Sequence, residues 1–140
     1  MADRQRSIQN MQTALSMELT AVHQYLLHAH VLDDWGLDRL SARMRDEMQE
    51  ELGHAEKLTD RILYLGGTPE VSEAKAPKRA NGLMDLFSSD LKEEQSSIEF
   101  YTEAADAARE DSDVGTRVLF EKLILDEEEH AEWLDLQMNL

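Results

Sequence analysis

The sequence predicts an all-α fold, an antiparallel four-helix bundle in which one long crossover joins the second helix to the third. Three features of the chain indicate this fold. Apolar residues recur at helical spacing in four long stretches, turn-forming residues separate these stretches at two short breaks and one long one, and no stretch alternates as a strand would. The 140 residues fit a single domain, which we expect to span residues 1–140.

The first two helices are predicted to form a hairpin. The first covers about residues 5–33 and ends at an Asp-Trp-Gly turn, and the second covers about residues 37–65 and ends at Gly-Gly-Thr-Pro, a typical helix stop. Their apolar stripes are Ile8, Met11, Leu15, Leu19, Val22, Leu26 and Ala29 in the first helix, and Leu37, Leu40, Met44, Met48, Leu52, Ala55, Leu58, Ile62 and Leu65 in the second.

A long connection precedes the second hairpin. Residues 66–82 contain both prolines and three of the six glycines, and they have no sustained periodicity. Extended at ~3.3 Å per residue they reach ~55 Å, enough to cross a bundle whose 30-residue helices are ~45 Å long. The third helix is predicted over about residues 83–110, and the fourth over about 113–139 behind the capping sequence Asp-Ser-Asp.

One pattern of residues occurs twice. A glutamate is followed 33 positions later by Glu-x-x-His, and the second copy lies 76 residues after the first. The six residues are Glu18, Glu51, His54, Glu94, Glu127 and His130. The two glutamates of each copy lie equally far from the turn of their hairpin, and residues three positions apart share one helix face. All six side chains are therefore predicted to meet at mid-height inside the bundle.

This set of side chains favours a site for two divalent metal ions. Buried carboxylates without compensation cost several kcal/mol each, and four of them together would be driven toward protonation. Two M2+ ions would balance the four carboxylates, and the chain has no lysine or arginine at the same heights that could do so. Oxygen-rich ligation with one imidazole per metal suits iron or manganese, and zinc stays open as an occupant.

The charge and composition of the chain limit the kinds of partner that it can bind. Thirty acidic residues against 14 basic ones give a net charge of −16, which argues against nucleic-acid binding and favours attraction of cations. The chain has no cysteine, no apolar segment after its polar start, and no run of membrane-spanning length. We expect a cytoplasmic protein without a membrane partner.

At these positions the chain resembles the bacterioferritins over nearly its full length. Besides the six residues, the resemblance includes Tyr25, the Asp-Trp-Gly-Leu turn at 34–37 and the segment 126–134. It implies a ferritin-like bundle with a non-haem di-iron centre, two irons per subunit, bridged by Glu51 and Glu127. In that family pattern Glu18 with His54 completes one iron position, and Glu94 with His130 completes the other.

The resemblance also implies a function. Two Fe2+ would be oxidised to Fe3+ by dioxygen or hydrogen peroxide, and the iron would be stored in a homo-oligomeric cage. Two alternatives stay open at this point: a metal- or haem-binding cage with little oxidase turnover, and another di-metal enzyme such as a manganese catalase.

Two departures from the family pattern set further expectations. Bacterioferritins place a haem-ligating methionine directly after the first bridging glutamate, where this chain has Leu52, which lacks a donor atom. Haem binding at that site is therefore doubtful. The chain ends at Leu140, where the family usually adds a short fifth helix, so cages of 12 and of 24 subunits are both open.

Side chains near the repeated pattern have open roles. Tyr25 and Tyr101 each lie two turns beyond a glutamate of the pattern on the same face, and each would orient a carboxylate, supply an electron or only pack in the core. His23, His28 and His30 lie outside the pattern and are expected at the surface, with a secondary role in iron uptake as the alternative.

Overall fold

The computed structural model describes residues 4–139, and every regular element in that range is a helix. The helix bounds differ from the predicted ones by at most one residue. The four helices are α1 (Gln5–Asp34), α2 (Asp38–Tyr64), α3 (Leu83–Glu110) and α4 (Val114–Met138). The all-α, four-helix architecture predicted from the sequence is confirmed.

Glycine ends each of the first two helices. Gly36 and Gly66 have φ angles of +78° and +87°, a left-handed conformation that glycine adopts without steric cost. The next residue closes the helix in each case, because the Leu37 amide donates to the Leu32 carbonyl at 2.9 Å and the Gly67 amide donates to the Ile62 carbonyl at 2.9 Å. These sharp stops fix where the first turn and the crossover begin.

The bundle is built from two hairpins. α1 packs along α2 and α3 along α4, and the hairpins meet mainly between α1 and α3. At the second turn Asp113 caps α4, since its carboxylate accepts a hydrogen bond from the Thr116 amide and also pairs with Arg61 of α2 at 2.9 Å. The contact ties the α3–α4 turn to the first hairpin.

The crossover between α2 and α3 lies against α1. Two glutamines of α1 bind it through both atoms of their side-chain amides: Gln12 pairs with the backbone N–H and C=O of Glu70, and Gln24 pairs with those of Lys78, all at 2.8 to 2.9 Å. Between them, the Thr20 hydroxyl accepts the Ala74 amide at 2.8 Å. This segment therefore forms a strap, residues 70–78, fastened along one side of the bundle.

The apolar core is divided in two. One cluster contains Leu15, Leu58 and Phe120, and the other contains Leu32, Met44 and Leu134. The interior between them holds the polar layer described below.

Two members of the stripes predicted for the first two helices are exposed. Leu26 is 46% exposed and Leu52 is 37% exposed, so the prediction that they face inward is wrong. Steps of three and four place residues on a wide arc of the helix surface, and a residue at the edge of that arc can be exposed.

Between residues 4 and 139 no helix combines the length and the apolar character needed to cross a membrane.

Candidate metal centre

All four helices contribute to one polar layer at the middle of the bundle. The six side chains of the repeated pattern lie together there, and each is at most 2% exposed. They are Glu18 from α1, Glu51 and His54 from α2, Glu94 from α3, and Glu127 and His130 from α4.

The two imidazoles point the same nitrogen into this layer. His54 Nδ1 lies 3.3 Å from a carboxylate oxygen of Glu18, 3.3 Å from Glu51 Oε1 and 3.0 Å from Glu127 Oε1. His130 Nδ1 also lies 3.3 Å from Glu51 Oε1, and its distances to Glu94 and Glu127 are 3.9 and 4.0 Å. The carboxylate of Glu51 is thus shared by both histidines.

The donor atoms form two overlapping sets of four, and within each set all atoms lie within 4.8 Å of one another. The two sets share Glu51 and Glu127. One is completed by Glu18 and His54, and the other by Glu94 and His130. A pair of shared carboxylates between two otherwise separate donor sets is the arrangement that two neighbouring metal ions require.

Two tyrosines orient the unshared glutamates. Tyr101 of α3 donates a hydrogen bond to Glu18 of α1 at 2.6 Å, and Tyr25 of α1 donates one to Glu94 of α3. Both phenols are buried. Each helix of the α1–α3 pair therefore supplies the residue that positions the carboxylate of the other.

Two further carboxylates hold the outer nitrogens of the imidazoles. Asp126 Oδ2 lies 2.8 Å from His54 Nε2, and Glu50 Oε2 lies 2.9 Å from His130 Nε2. These two acids are themselves 76 residues apart and are partly exposed, 39% and 42%. A carboxylate on one ring nitrogen favours the tautomer whose other nitrogen, here Nδ1, has its lone pair free for a metal.

Hydrogen bonding in the layer is incomplete. Seven buried polar atoms of the six residues have no hydrogen-bond partner, and both Nδ1 atoms are among them because their short contacts to carboxylates lack hydrogen-bond direction. The seven are Glu18 Oε2, Glu51 Oε1, His54 Nδ1, Glu94 Oε2, Glu127 Oε1 and Oε2, and His130 Nδ1. Buried polar groups are nearly always satisfied, so this concentration of free donor atoms in one place fits a pair of metal ions.

The electrostatics of the layer also favour the binding of cations. Burial and the neighbouring carboxylates raise the pKa of Glu51 and of Glu127 well above the usual range. Burial alone would lower the pKa of His54 and of His130, but the adjacent glutamates raise both to about 11. Protons therefore compensate the charge of the metal-free layer, and cations would have to displace them.

Three titratable residues near the layer are buried although the sequence analysis did not predict it. For one of them, a histidine, the prediction was wrong, and the other two, both acids, were not singled out. His28 was expected at the surface but is fully buried, with its Nδ1 3.0 Å from Asp90, whereas His23 and His30 are exposed as expected. Asp90 and Glu47 are also buried, and burial raises their pKa values to about 6 and about 7.

The repeat could not reveal these acids. The positions 76 residues away from Asp90 and Glu47 are Ala14 and Leu123, so neither acid has a counterpart in the other hairpin. The only sequence signal was their spacing, since each lies four residues before a glutamate of the pattern on the same helix face.

A four-helix bundle with one long crossover, a glutamate from each of two helices and Glu-x-x-His from each of the other two defines the ferritin-like carboxylate proteins. Comparison with protein families agrees: residues 8–140 match the ferritin family, described as a ferritin-like domain.

Individual relatives identify the family more closely. Bacterioferritin of Rhodobacter capsulatus is 37% identical over 133 residues, which cover 95% of this chain and 83% of the relative. Bacterioferritin BfrA of Mycobacterium tuberculosis is 38% identical over 126 residues, which cover 90% and 79%. The chain belongs to the bacterioferritin family.

Solved structures show the same relationship. The R. capsulatus bacterioferritin structure superimposes with a TM-score of 0.95 at 35% identity, covering 99% of this chain and 87% of that one. That protein is described with a metal-free dinuclear site and a haem iron in a crystallographic special position. M. tuberculosis BfrA gives a TM-score of 0.94 at 34% identity, with coverage of 99% and 87%.

Proposed function

We propose that this chain is a ferroxidase subunit of an iron-storage cage. The observation that carries the proposal is the pair of overlapping donor sets, with seven buried polar atoms that lack any other partner. Four carboxylates and two imidazoles would receive two Fe2+ as substrate, with Glu51 and Glu127 shared between the two ions. Glu18 with His54 and Glu94 with His130 would complete the two positions.

The reaction balances in electrons and protons. Two Fe2+ lose one electron each; one dioxygen takes up two electrons and two protons to give hydrogen peroxide, or one hydrogen peroxide takes up two electrons and two protons to give two waters. Iron supplies the redox chemistry, and the chain has no cysteine that could take part. Protons displaced when the ions bind at Glu51, Glu127 and the histidines are available for this uptake.

The surrounding residues hold the ligands in place. Tyr25 and Tyr101 fix the rotamers of Glu94 and Glu18, and Asp126 and Glu50 fix the two imidazole rings. The two apolar clusters shield the layer from solvent along the length of the bundle. Electrostatic interactions within the layer are strengthened by this low-dielectric environment.

Storage of the product requires association of several chains. The exposed side chains of Leu52 and Val71 line a groove of about 210 Å³ on the α1–α2 side of the bundle. Buried Leu15, Leu19 and Ala55 also line it, as do the polar residues Glu56, Thr59 and Asp60. We expect contact with a second copy of the chain to cover these two exposed apolar side chains. Light scattering on the purified protein distinguishes a cage from a monomer or a dimer, which could not enclose a mineral.

Aerobic addition of Fe2+ tests the activity. The wild-type protein is expected to show a fast phase of Fe3+ absorbance that saturates at two Fe2+ per chain, and Glu94→Ala should slow that phase selectively. Glu99→Ala is the matched control, because it removes an exposed glutamate from the same helix. A folded wild-type protein that binds two Fe2+ and yet oxidises them no faster than buffer would refute the ferroxidase and leave a metal-binding cage.

A further inference from the structure

A cavity of about 390 Å³ lies between α1, α3 and the strap, outside the polar layer but adjoining it. Its inner end reaches Tyr25 and Glu94. At its outer end lie Lys75 and Glu93, which are 66% and 45% exposed and form an ion pair at 2.7 Å. The cavity therefore connects the solvent side of the strap with one of the two donor sets.

A chain of hydrogen bonds fixes one carboxylate in the wall of this cavity. Gln24 Oε1 accepts the Lys78 amide, so its Nε2 carries the two donors, one directed to the Lys78 carbonyl at 2.8 Å and the other to His28 Nε2 at 2.9 Å. His28 Nε2 is then an acceptor, so its proton is on Nδ1, which donates to Asp90 Oδ2 at 3.0 Å. The hydrogen bond from His28 therefore fixes the orientation of the Asp90 carboxylate.

The second oxygen of this carboxylate is free. Asp90 lines the cavity and is 1% exposed, yet its Oδ1 has no hydrogen-bond partner. One helical turn farther along α3, Glu94 Oε2 is likewise buried and unpartnered. Burial raises the pKa of Asp90 to about 6, and the hydrogen bond from His28 opposes this shift by favouring the charged carboxylate.

We propose that divalent cations reach the dinuclear centre through this cavity and that Asp90 is a transit ligand, which binds the cation with its free oxygen before Glu94 takes it over. His28 and Gln24 are positioning residues, since they orient Asp90 and link it to the strap. That the cation is iron on its way to oxidation rests on the proposed function, but the route itself applies to any divalent ion that the centre binds.

The strap places a positive charge at the outer end of the route, where it repels cations. Lys75 repels an approaching cation, and its pairing with Glu93 also occupies a carboxylate that would otherwise attract one. Its backbone N–H is bound by Thr20, so the residue is held at this place. Removal of the Lys75 charge is therefore expected to accelerate uptake, the opposite of the effect expected at Asp90.

Stopped-flow binding of Co2+ to the metal-free protein measures the route without oxidation. Asp90→Asn should slow Co2+ binding about tenfold, at the low end of the range for electrostatic attraction of ions, with the same final Co2+ per chain as wild type. Lys75→Gln should speed binding at low ionic strength, and the gain should shrink at high salt because this charge is exposed. Asp106→Asn, an exposed acid on the same helix, is the control and should change nothing.

The outcomes separate this proposal from the ferroxidase. A rate for Asp90→Asn within twofold of wild type overturns the transit role, and so does a reduced final Co2+ stoichiometry, which would make Asp90 part of the centre itself. If Asp90→Asn does not fold, the Lys75→Gln variant tests the proposal instead. A Co2+ binding rate equal to that of the wild type at low salt would then reject the route. If the wild-type protein takes up Co2+ but does not oxidise Fe2+, the ferroxidase proposal is refuted and the proposed route is not.

Discussion

Replacement of Glu127 by glutamine should have opposite consequences for the metal-free and the metal-bound protein. Burial and the neighbouring carboxylates raise the pKa of this carboxyl well above its usual range, so the metal-free fold favours its neutral form and should lose little when a neutral amide replaces it. Glu127 belongs to both donor sets, however, so the substitution removes a charged ligand from both ions at once.

The size of the effect follows from binding linkage. A metal ion present at 100 times its Kd stabilises the fold by ~2.7 kcal/mol, so two ions contribute ~5.4 kcal/mol. An unfolding entropy of ~2.1 cal/mol/K per residue corresponds to ~0.29 kcal/mol/K for a chain of this length, and the wild-type Tm should therefore rise by ~18 °C. If Glu127→Gln weakens each ion ~100-fold, the remaining ~0.8 kcal/mol raises Tm by only ~3 °C.

Calorimetry with and without Zn2+ or anaerobic Fe2+ near neutral pH provides the measurement. The metal-free Tm of Glu127→Gln should lie within about 3 °C of wild type, corresponding to ~1 kcal/mol. Glu132→Gln removes an exposed glutamate from α4 and should retain the full metal-dependent rise. An equal rise in wild type and Glu127→Gln would refute the shared site, and a large loss of metal-free stability would refute the protonated state of Glu127.

Three further outcomes are expected. The pKa values of Glu51 and Glu127 are raised in the metal-free fold, so these two groups stabilise it fully below pH ~4.3, and this stabilisation is lost as the pH rises through the raised pKa values. Metal affinity should therefore increase with pH. A pH-stat titration should detect roughly two to four protons released per two ions. Asp126→Asn should weaken metal binding ~10 to 100-fold by releasing the His54 ring, and an unchanged affinity in calorimetric titration would contradict that role. After incubation with haem, the Leu52→Met variant should show a haem absorbance band that is absent from the wild type. A band of equal strength in both proteins would show that this position does not decide haem binding.

Much of the fold could be predicted because its signals are local. Helix bounds follow from apolar spacing and from stop signals such as Gly36 and Gly66, which act within a few residues. The inward direction of Glu18 and Glu94 follows from the same spacing, and the duplicated pattern places them at one height. The exposed Leu26 and Leu52 show the limit of this reasoning, since spacing alone does not tell how wide the buried arc of each helix is.

The sequence by itself determined four helices, their long crossover and a polar layer of six residues at mid-bundle, because periodicity and the repeat at 76 residues are properties of the chain alone. Contacts between residues without such a relation were decided only by the tertiary structure. The Asp90–His28–Gln24 chain joins α3, α1 and the strap, and Asp90 has no counterpart in the repeat. The physical reason is that rotamers and pairings across helices depend on packing in three dimensions, which a periodic pattern does not encode.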